Sequence, residues 1–357
     1  MFNMKVAVAG ALSVDICPVF TNGCNGDFGE LIKPGRITHV EGKEIHPGGP
    51  VANTGIALRI FGIRPVLCAR IGRDNMGKML YEMLNKKLRP FSADTISIGE
   101  EDSTANSIIL APDGCDRAIL QNPGANDNFS IDDINWNEVK KCRMFHFGHP
   151  STMAKMYEND GEELVRIMKK ADELGLVTSL DLCAIDPDSE AANADWKKIL
   201  SDVLPYVDFF MPSIGDLEGI LIDDAENADV RKVADELNEL GAKCLLIKLG
   251  AKGMYYRNPG AAFFRTIEKK LKLVSPYMEN WENREGFAEA VKPEKNISGL
   301  GAGDVAIAAY LAAIMHTQNF DDTIALALAE GALCLGDVSA TGGLKPFGEL
   351  TDVFELL

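Results

Sequence analysis

The chain has 357 residues, enough to bury a sizeable core, and its 53 acidic against 36 basic side chains give a formal net charge of -17. That balance repels nucleic acid and anionic membrane surfaces, so neither is expected as a partner. The eight cysteines form no Cys-x-x-Cys pair and no regular framework, which suits a reducing cytoplasm. Met1-Phe2-Asn3-Met4-Lys5 leads into a short strand-like run rather than a secretory segment.

From the first residues onward, short β-like runs alternate with helix-like stretches, the pattern of an α/β fold whose mainly parallel sheet is covered on both faces. Strands are expected at Lys5 to Gly10, Val66 to Ile71, Met144 to Gly148, Val177 to Asp181, Phe209 to Met211 and Cys244 to Leu249. Helices are expected at Pro50 to Phe61, Met76 to Lys87, Glu162 to Leu174, Val230 to Leu240 and Thr323 to Leu335. The alanine-rich run Val305 to Met315 is the longest apolar helix and is too short to span a bilayer. Two regions within the single domain 1–357 break the alternation: residues 16–46 and 94–121. In the second, Ser107-Ile108-Ile109-Leu110 and Ala118-Ile119-Leu120 read as strands joined by Pro112-Asp113-Gly114. Strands without crossover helices are expected to pair in a small separate β-sheet, a lid through which two copies could also form a homodimer.

Polar and glycine-rich positions cluster at the expected carboxyl ends of strands, where open α/β sheets bind ligands. The first is Gly10 with Asp15. The second is His46-Pro47-Gly48-Gly49-Pro50-Val51-Ala52-Asn53, in which bare glycines allow close backbone approach and Asn53 offers a donor and an acceptor to a polyol; alone, it could equally be a helix cap. His146 and His149 flank the end of a strand where their spacing points them to opposite faces, so each reads as a satisfied or site-rim histidine rather than half of a metal pair.

The most informative stretch is Gly299-Leu300-Gly301-Ala302-Gly303-Asp304, running straight into the apolar helix. Alternating glycines let backbone N–H groups converge, and the helix adds its positive dipole end, so the turn can hold an anion. Asp304 at its mouth would repel a resident phosphate unless it accepts a proton from a hydroxyl attacking a phosphoryl group. A plain structural turn remains open on this motif alone. Asp304 stands where a Gly-x-Gly-x-x-Gly turn needs glycine, and Asp304-Val305 where a P-loop needs Lys-Ser/Thr.

Taken together, these residues resemble the ribokinase family, the PfkB carbohydrate kinases. Gly48-Gly49, Ala52-Asn53, Ala57-Leu58 and Phe61-Gly62, continuing into Ile71-Gly72-Arg73-Asp74 and Gly77, match the first family signature, and Gly301-Ala302-Gly303-Asp304 the second. Between them Pro123-Gly124-Ala125-Asn126, Asp181 with Trp196, and Ile247-Lys248-Leu249-Gly250-Ala251-Lys252-Gly253 stand in family order. The resemblance implies a ribokinase-like three-layer fold and an ATP- and Mg²⁺-dependent sugar kinase. A nucleoside kinase of the same fold, or a catalytically weakened sugar- or nucleotide-binding regulator, is the alternative. It further implies that Asp15, Gly48, Gly49 and Asn53 grip the sugar, that Asp304 is the base, and that Gly301, Ala302 and Gly303 stabilise the phosphoryl group in flight. Ser213, Lys248, Gly250 and Gly253 would serve the nucleotide and Asp216 the metal. Without the family, Asp15 is a turn acid and Gly250 to Gly253 a tight hairpin.

The chain departs from the family pattern in three places. Ser298-Gly299 stands where the family has Asp-Thr, and Ala306 where it has Phe. Ser213-Ile214-Gly215-Asp216 replaces an Asn-x-x-Glu motif, keeping oxygen donors suited to magnesium. The segment Asn258 to Asn296 is longer than usual, and reads as a lid over the nucleotide, an oligomer contact or an inserted loop. Many family members bind a monovalent cation through oxygens that include the Asp of Asp-Thr. Here one full negative charge is missing, worth on the order of 4 kcal/mol at contact in an effective dielectric of 20. Exchanging K⁺ for a bulky organic cation at constant ionic strength is therefore expected to change a Mg²⁺-supported turnover rate less than about threefold. Strong saturable K⁺ activation would show that other oxygens rebuild the site.

Overall fold

The first strand explains the layering. All six residues of β1 (Lys5–Gly10) are buried, and they alternate between two cores: Val6 and Val8 pack on one side, Ala7 and Ala9 on the other. A strand buried on both faces needs a layer of helices above and below it. The computed structural model describes residues 4–24, 26–115, 117–272, 277–293, 300–337 and 339–349. Ser298, Gly299 and Asn296 therefore lie outside the described residues.

Downstream of β1 run β2 (Ser13–Phe20), β3 (Val40–Gly48), β4 (Arg64–Gly72), β5 (Ile96–Gly99), β6 (Asn106–Leu110), β7 (Ala118–Asn122) and β8 (Met144–Gly148). They are followed by β9 (Val177–Leu180), β10 (Phe209–Phe210), β11 (Cys244–Lys248), β12 (Met254–Arg257) and β13 (Glu285–Ala288). The described strands form a nine-stranded sheet, β13-β12-β11-β10-β9-β8-β1-β4-β5, and a separate four-stranded one, β3-β2-β6-β7. In the large sheet β12 alone among the described strands is reversed, antiparallel to both β11 and β13, and the other neighbouring pairs are parallel. Helices Gly49–Ile60, Ala302–Met315 and Phe320–Cys334 contribute to the core holding Val6 and Val8. Glu162–Glu173, Trp196–Val203 and Val230–Glu239 contribute to the core holding Ala7 and Ala9.

Three expectations shift. First, β2 begins at Ser13, ahead of the expected 16–46 segment, so Asp15 lies within a strand of the small sheet rather than in a turn. Within 94–121, β5 pairs in parallel with β4 and closes the edge of the large sheet instead. Second, the Asn258 to Asn296 segment builds regular structure. The helix Ala261–Leu271 buries Phe264, Ile267 and Leu271, an amphipathic spacing, and β13 pairs with β12. Trp281 is fully buried, with the rings of Phe264, Tyr310 and Phe320 at 5.9, 5.8 and 5.2 Å. Burying a large aromatic side chain contributes roughly 1.5–3 kcal/mol, so this segment is part of the core and not a plain inserted loop. Third, Cys24 and Cys115 are joined as a disulfide across 91 residues, whereas the scattered cysteines gave no sign of a bridge. It ties the loop after β2 to the β6–β7 turn, where Cys24 N also donates to Asp113 O at 2.8 Å. No helix among the described residues is long and apolar enough to cross a membrane.

Candidate active site

Parallel strands place their carboxyl ends along one edge of the large sheet. Gly10 is level with Gly148, and Phe147 with Leu180. The residues that follow, His149 after β8 and Asp181 after β9, therefore share that edge with Lys248 at the end of β11. The small sheet meets the same edge because β3 runs directly into the helix Gly49–Ile60. In the β2–β3 ladder Ser13 pairs with Gly48 and Asp15 with His46. Gly48 is glycine for a steric reason: a Cβ there would lie 2.1 Å from the Asp15 carboxyl carbon. Asp15 is 5% exposed and accepts from Ser13 Oγ at 3.0 Å. Burial raises its pKa to about 6, against the lowering effect of the Ser13 and Ser107 hydroxyls and His46.

One turn into that helix, Asn53 Nδ2 donates to Asp304 Oδ2 at 2.9 Å, and Thr54 Oγ1 donates to the Asp304 backbone oxygen at 3.2 Å. Asp304 lies in the first turn of the helix Ala302–Met315, whose N-cap is Gly301 in the left-handed region, φ 74°. A side chain at Gly301 would also strike Ala340 Cβ at 2.4 Å and approach Asn53 Nδ2 at 3.1 Å. The carboxylate is 4% exposed and its Oδ1 has no hydrogen-bond partner. The nearest charged group to Oδ1 is His149 Nε2 at 3.5 Å.

His149 also sits in the left-handed region, at φ 57° and ψ 49°, a conformation that a bulky residue adopts only when its surroundings impose it. Burial opposes its charge, but Cys183, Asp304 and Asp181 outweigh that and raise its pKa to about 10. His146 behaves oppositely. Its Nδ1 is 2.6 Å from Ser179 Oγ, and burial together with Lys248 and His149 lowers its pKa to about 3.

Lys248 Nζ pairs with Asp181 Oδ1 at 2.7 Å, both side chains nearly buried, and would lie 3.3 Å from a Cβ on Gly303. The cation therefore borders the glycine turn. Burial raises the pKa of Asp181 to about 7, although Lys248 pulls it down. Ser213 and Asp216 cap each other: Ser213 N donates to Asp216 Oδ2 at 2.6 Å, and Asp216 N donates to Ser213 Oγ at 3.1 Å. Ser213 forms an isolated bridge with Lys248, so the pair adjoins the same edge. Gly250 and Gly253 flank the turn between β11 and β12, with Gly250 opening onto free space and Gly253 pressed against Ala288 O and Ala290 N. Beside them a cavity of about 690 Å³ is walled by Tyr256, Phe287, Val291, Phe320 and Leu328.

The structure thus gathers Asp15, Gly48, Gly49, Asn53, Gly301, Ala302, Gly303, Asp304 and Lys248 around one edge, with Ser213 and Asp216 alongside. The turn of Gly250 and Gly253 lies further along, beside the cavity. The motif reading left out His149, Asp181, Thr54 and Asn126 as site residues. Asn126 Oδ1 accepts from Leu12 N at 3.1 Å, while its buried Nδ2 has no partner. Their positions just past strand ends were the available signal for His149 and Asp181; nothing local marks Thr54.

Residues 11–346 match the model of the pfkB family carbohydrate kinases. An uncharacterized sugar kinase of Archaeoglobus fulgidus is 22% identical, over 81% of this chain and 98% of its own. Fructokinase-2 of Solanum habrochaites is 27% identical, over 64% of this chain and 68% of its own. Some curated relatives are matched over only about half their length, 50% and 48% in two cases. An Arabidopsis thaliana ribokinase solved with ribose and ATP superposes with a TM-score of 0.72 at 16% identity, covering 99% of each chain. The fold is therefore ribokinase-like.

The buried Asp15 carboxyl should titrate near pH 6 in carbon-detected NMR rather than near its ordinary 3.8. Ser13→Ala, which removes a donor to the ionised form, should move that midpoint upward. A midpoint near 4 in the wild type would mean that Asp15 is solvated.

Proposed function

The chain belongs to the pfkB family of carbohydrate kinases, and on that premise we propose that it transfers the γ-phosphoryl group of ATP to a hydroxymethyl group of a sugar, with Asp304 as general base. The observation that carries this reading is the Asp304 carboxylate: almost wholly buried, one oxygen held by Asn53, the other unpartnered, at the head of a glycine-opened helix. Asp304 Oδ1 takes the proton from the acceptor hydroxyl as that oxygen bonds to the γ-phosphorus. The bond from the γ-phosphorus to the bridging oxygen breaks, and ADP leaves. The N–H groups of Gly301, Ala302 and Gly303, which have no partner within the helix, meet the charge on the transferring group, and Lys248 adds a cation beside Gly303.

Asp15, Asn53 and the bare backbone at Gly48 and Gly49 hold the acceptor. The polar groups around Asp15, the Ser13 and Ser107 hydroxyls with His46, suit a hydroxyl-rich acceptor. Gly250 and Gly253 border the nucleotide, and the apolar wall of the 690 Å³ cavity suits its adenine. Ser213 and Asp216 are the hard oxygen donors for Mg²⁺. One Asp216 oxygen is committed to Ser213 N, so the ion would take one protein carboxylate oxygen and otherwise water and phosphate. Bound Mg²⁺ neutralises the ATP phosphates. The small sheet, carrying Asp15, excludes water when it closes.

Asp304→Asn keeps the shape but cannot accept the proton. It should lower kcat by ~10²- to 10⁴-fold while calorimetry shows ATP and sugar binding within a fewfold of wild type. The wild-type measurement is ATP consumption across a panel of ketoses, pentoses, sugar acids and nucleosides. A mutant within a fewfold of wild-type kcat sinks the base assignment, and binding without consumption by any acceptor would favour the regulator.

The small sheet also offers a face to a second copy. Ile108 and Leu120 stand opposite each other in the β6–β7 ladder, 37% and 59% exposed. Sedimentation should show a dimer that Leu120→Glu converts to a folded monomer; a monomeric wild type would remove this assignment.

A further inference from the structure

His149, Asp181 and Asp304, brought together from three separate elements, each offer one ligand atom, and these atoms lie within 4.8 Å of one another. His149 Nε2 and Asp304 Oδ1 are 3.5 Å apart, beyond a good hydrogen bond. Two donors on one tetrahedral zinc ion, each bonded at ~2.0–2.2 Å, stand about 3.3–3.5 Å apart. The spacing therefore fits two ligands of one ion better than an acid and its hydrogen-bonded partner. Asp304 Oδ1 faces this space with no hydrogen-bond partner, on a residue only 4% exposed. The surrounding charge also lacks a cation: Asp181, Asp216 and Asp304 face Lys248 and His149, while His146 is held neutral.

We infer that His149, Asp181 and Asp304 form an inhibitory binding site for a late first-row divalent cation, Zn²⁺ above all. One imidazole and two carboxylates suit zinc, whereas Mg²⁺ demands an octahedral oxygen shell and dehydrates reluctantly. Cys183, partly exposed and close enough to His149 to raise its pKa, is a soft fourth donor at the rim, its place otherwise taken by water. The salt bridge of Lys248 uses Asp181 Oδ1, leaving the other oxygen to the ion. An ion on Asp304 Oδ1 occupies the lone pair that accepts the proton, so turnover stops with both substrates bound. That consequence rests on the kinase reading; the binding does not.

The test uses the full chain stripped with chelator. Calorimetry should find one Zn²⁺ per chain without nucleotide present, and Co²⁺ in its place should give the intense visible absorption of a tetrahedral site. His149→Asn, whose side chain tolerates the left-handed backbone, and Asp181→Asn should each weaken Zn²⁺ by ~10-fold or more while circular dichroism confirms folding. The second variant decides the matter where the first misfolds. Zn²⁺ should also inhibit the wild-type kinase at saturating MgATP, relieved by chelator, with a half-inhibiting concentration raised by the same factor in the variants. No stoichiometric binding, or binding unchanged in both variants, overturns the site. Inhibition that excess ATP abolishes overturns it too, placing the ion on the nucleotide. Binding that follows the variants without any inhibition instead keeps the site and refutes Asp304 as the base.

Discussion

The hydrogen bond from Asn53 Nδ2 to Asp304 Oδ2, 2.9 Å long, spans 251 residues of sequence and fixes the geometry of everything around it. It joins the first turns of two helices that lie against the same face of the large sheet, so the positive ends of both point at one place. An acid buried as deeply as Asp304 is destabilised by about 1–3 kcal/mol for each polar atom left unpaired. Asn53 removes that penalty from one oxygen and Thr54 anchors the backbone, while Oδ1 is left without a partner. The asymmetry leaves one oxygen of this carboxylate open to a ligand or a proton.

The charges beyond Asp304 follow from the same constraint. A buried ion pair gains little net stability, because desolvating two charges offsets most of their attraction. The Asp181–Lys248 pair nevertheless persists at 2.7 Å next to the glycine turn, with Asp181 pushed up to about 7 by burial and by Asp216. Its value is positional: the pair holds a cation against Gly303, where an arriving phosphate would meet it. The left-handed His149 belongs to the same arrangement, its strained backbone turning an imidazole back toward two carboxylates.

The layering and most of the strand set were legible because burial leaves a local trace. Expected and observed bounds coincide for β1 and β8, and elsewhere differ by a residue or two, as with Phe209–Phe210 against Phe209 to Met211. The glycine turn and Asp304 were legible because a tight turn that opens a helix constrains neighbouring residues. What escaped was non-local. His149 carries no motif and Asp181 only its place in the family order, and their relation to Asp304 exists only after β8 and β9 align in the sheet. The Cys24–Cys115 link, with 91 residues between its ends, has no spacing to read. The helix Ala261–Leu271 is different. Phe264, Ile267 and Leu271 stand at helical spacing, a local signal that the sequence carries within the Asn258 to Asn296 segment.

The position of Asp15 within β2, rather than in a turn of the large sheet, changes what closure of the small sheet means. On the proposed reading, the residue that would grip the acceptor belongs to the same element that would shut out water. It is held there by the β2–β3 ladder and by a glycine that no other residue can replace without displacing the carboxylate. That ladder continues without a break into the helix bearing Asn53, so acceptor, base and lid are coupled through a single run of chain. At the far end, the Cys24–Cys115 link and the Cys24 to Asp113 backbone hydrogen bond tie the loop after β2 to the β6–β7 turn. A sheet fastened at both ends has few internal ways to bend. On the proposed kinase reading, acceptor binding at Asp15 would then act on the sheet as a whole, so that gripping the acceptor and excluding water would be one motion.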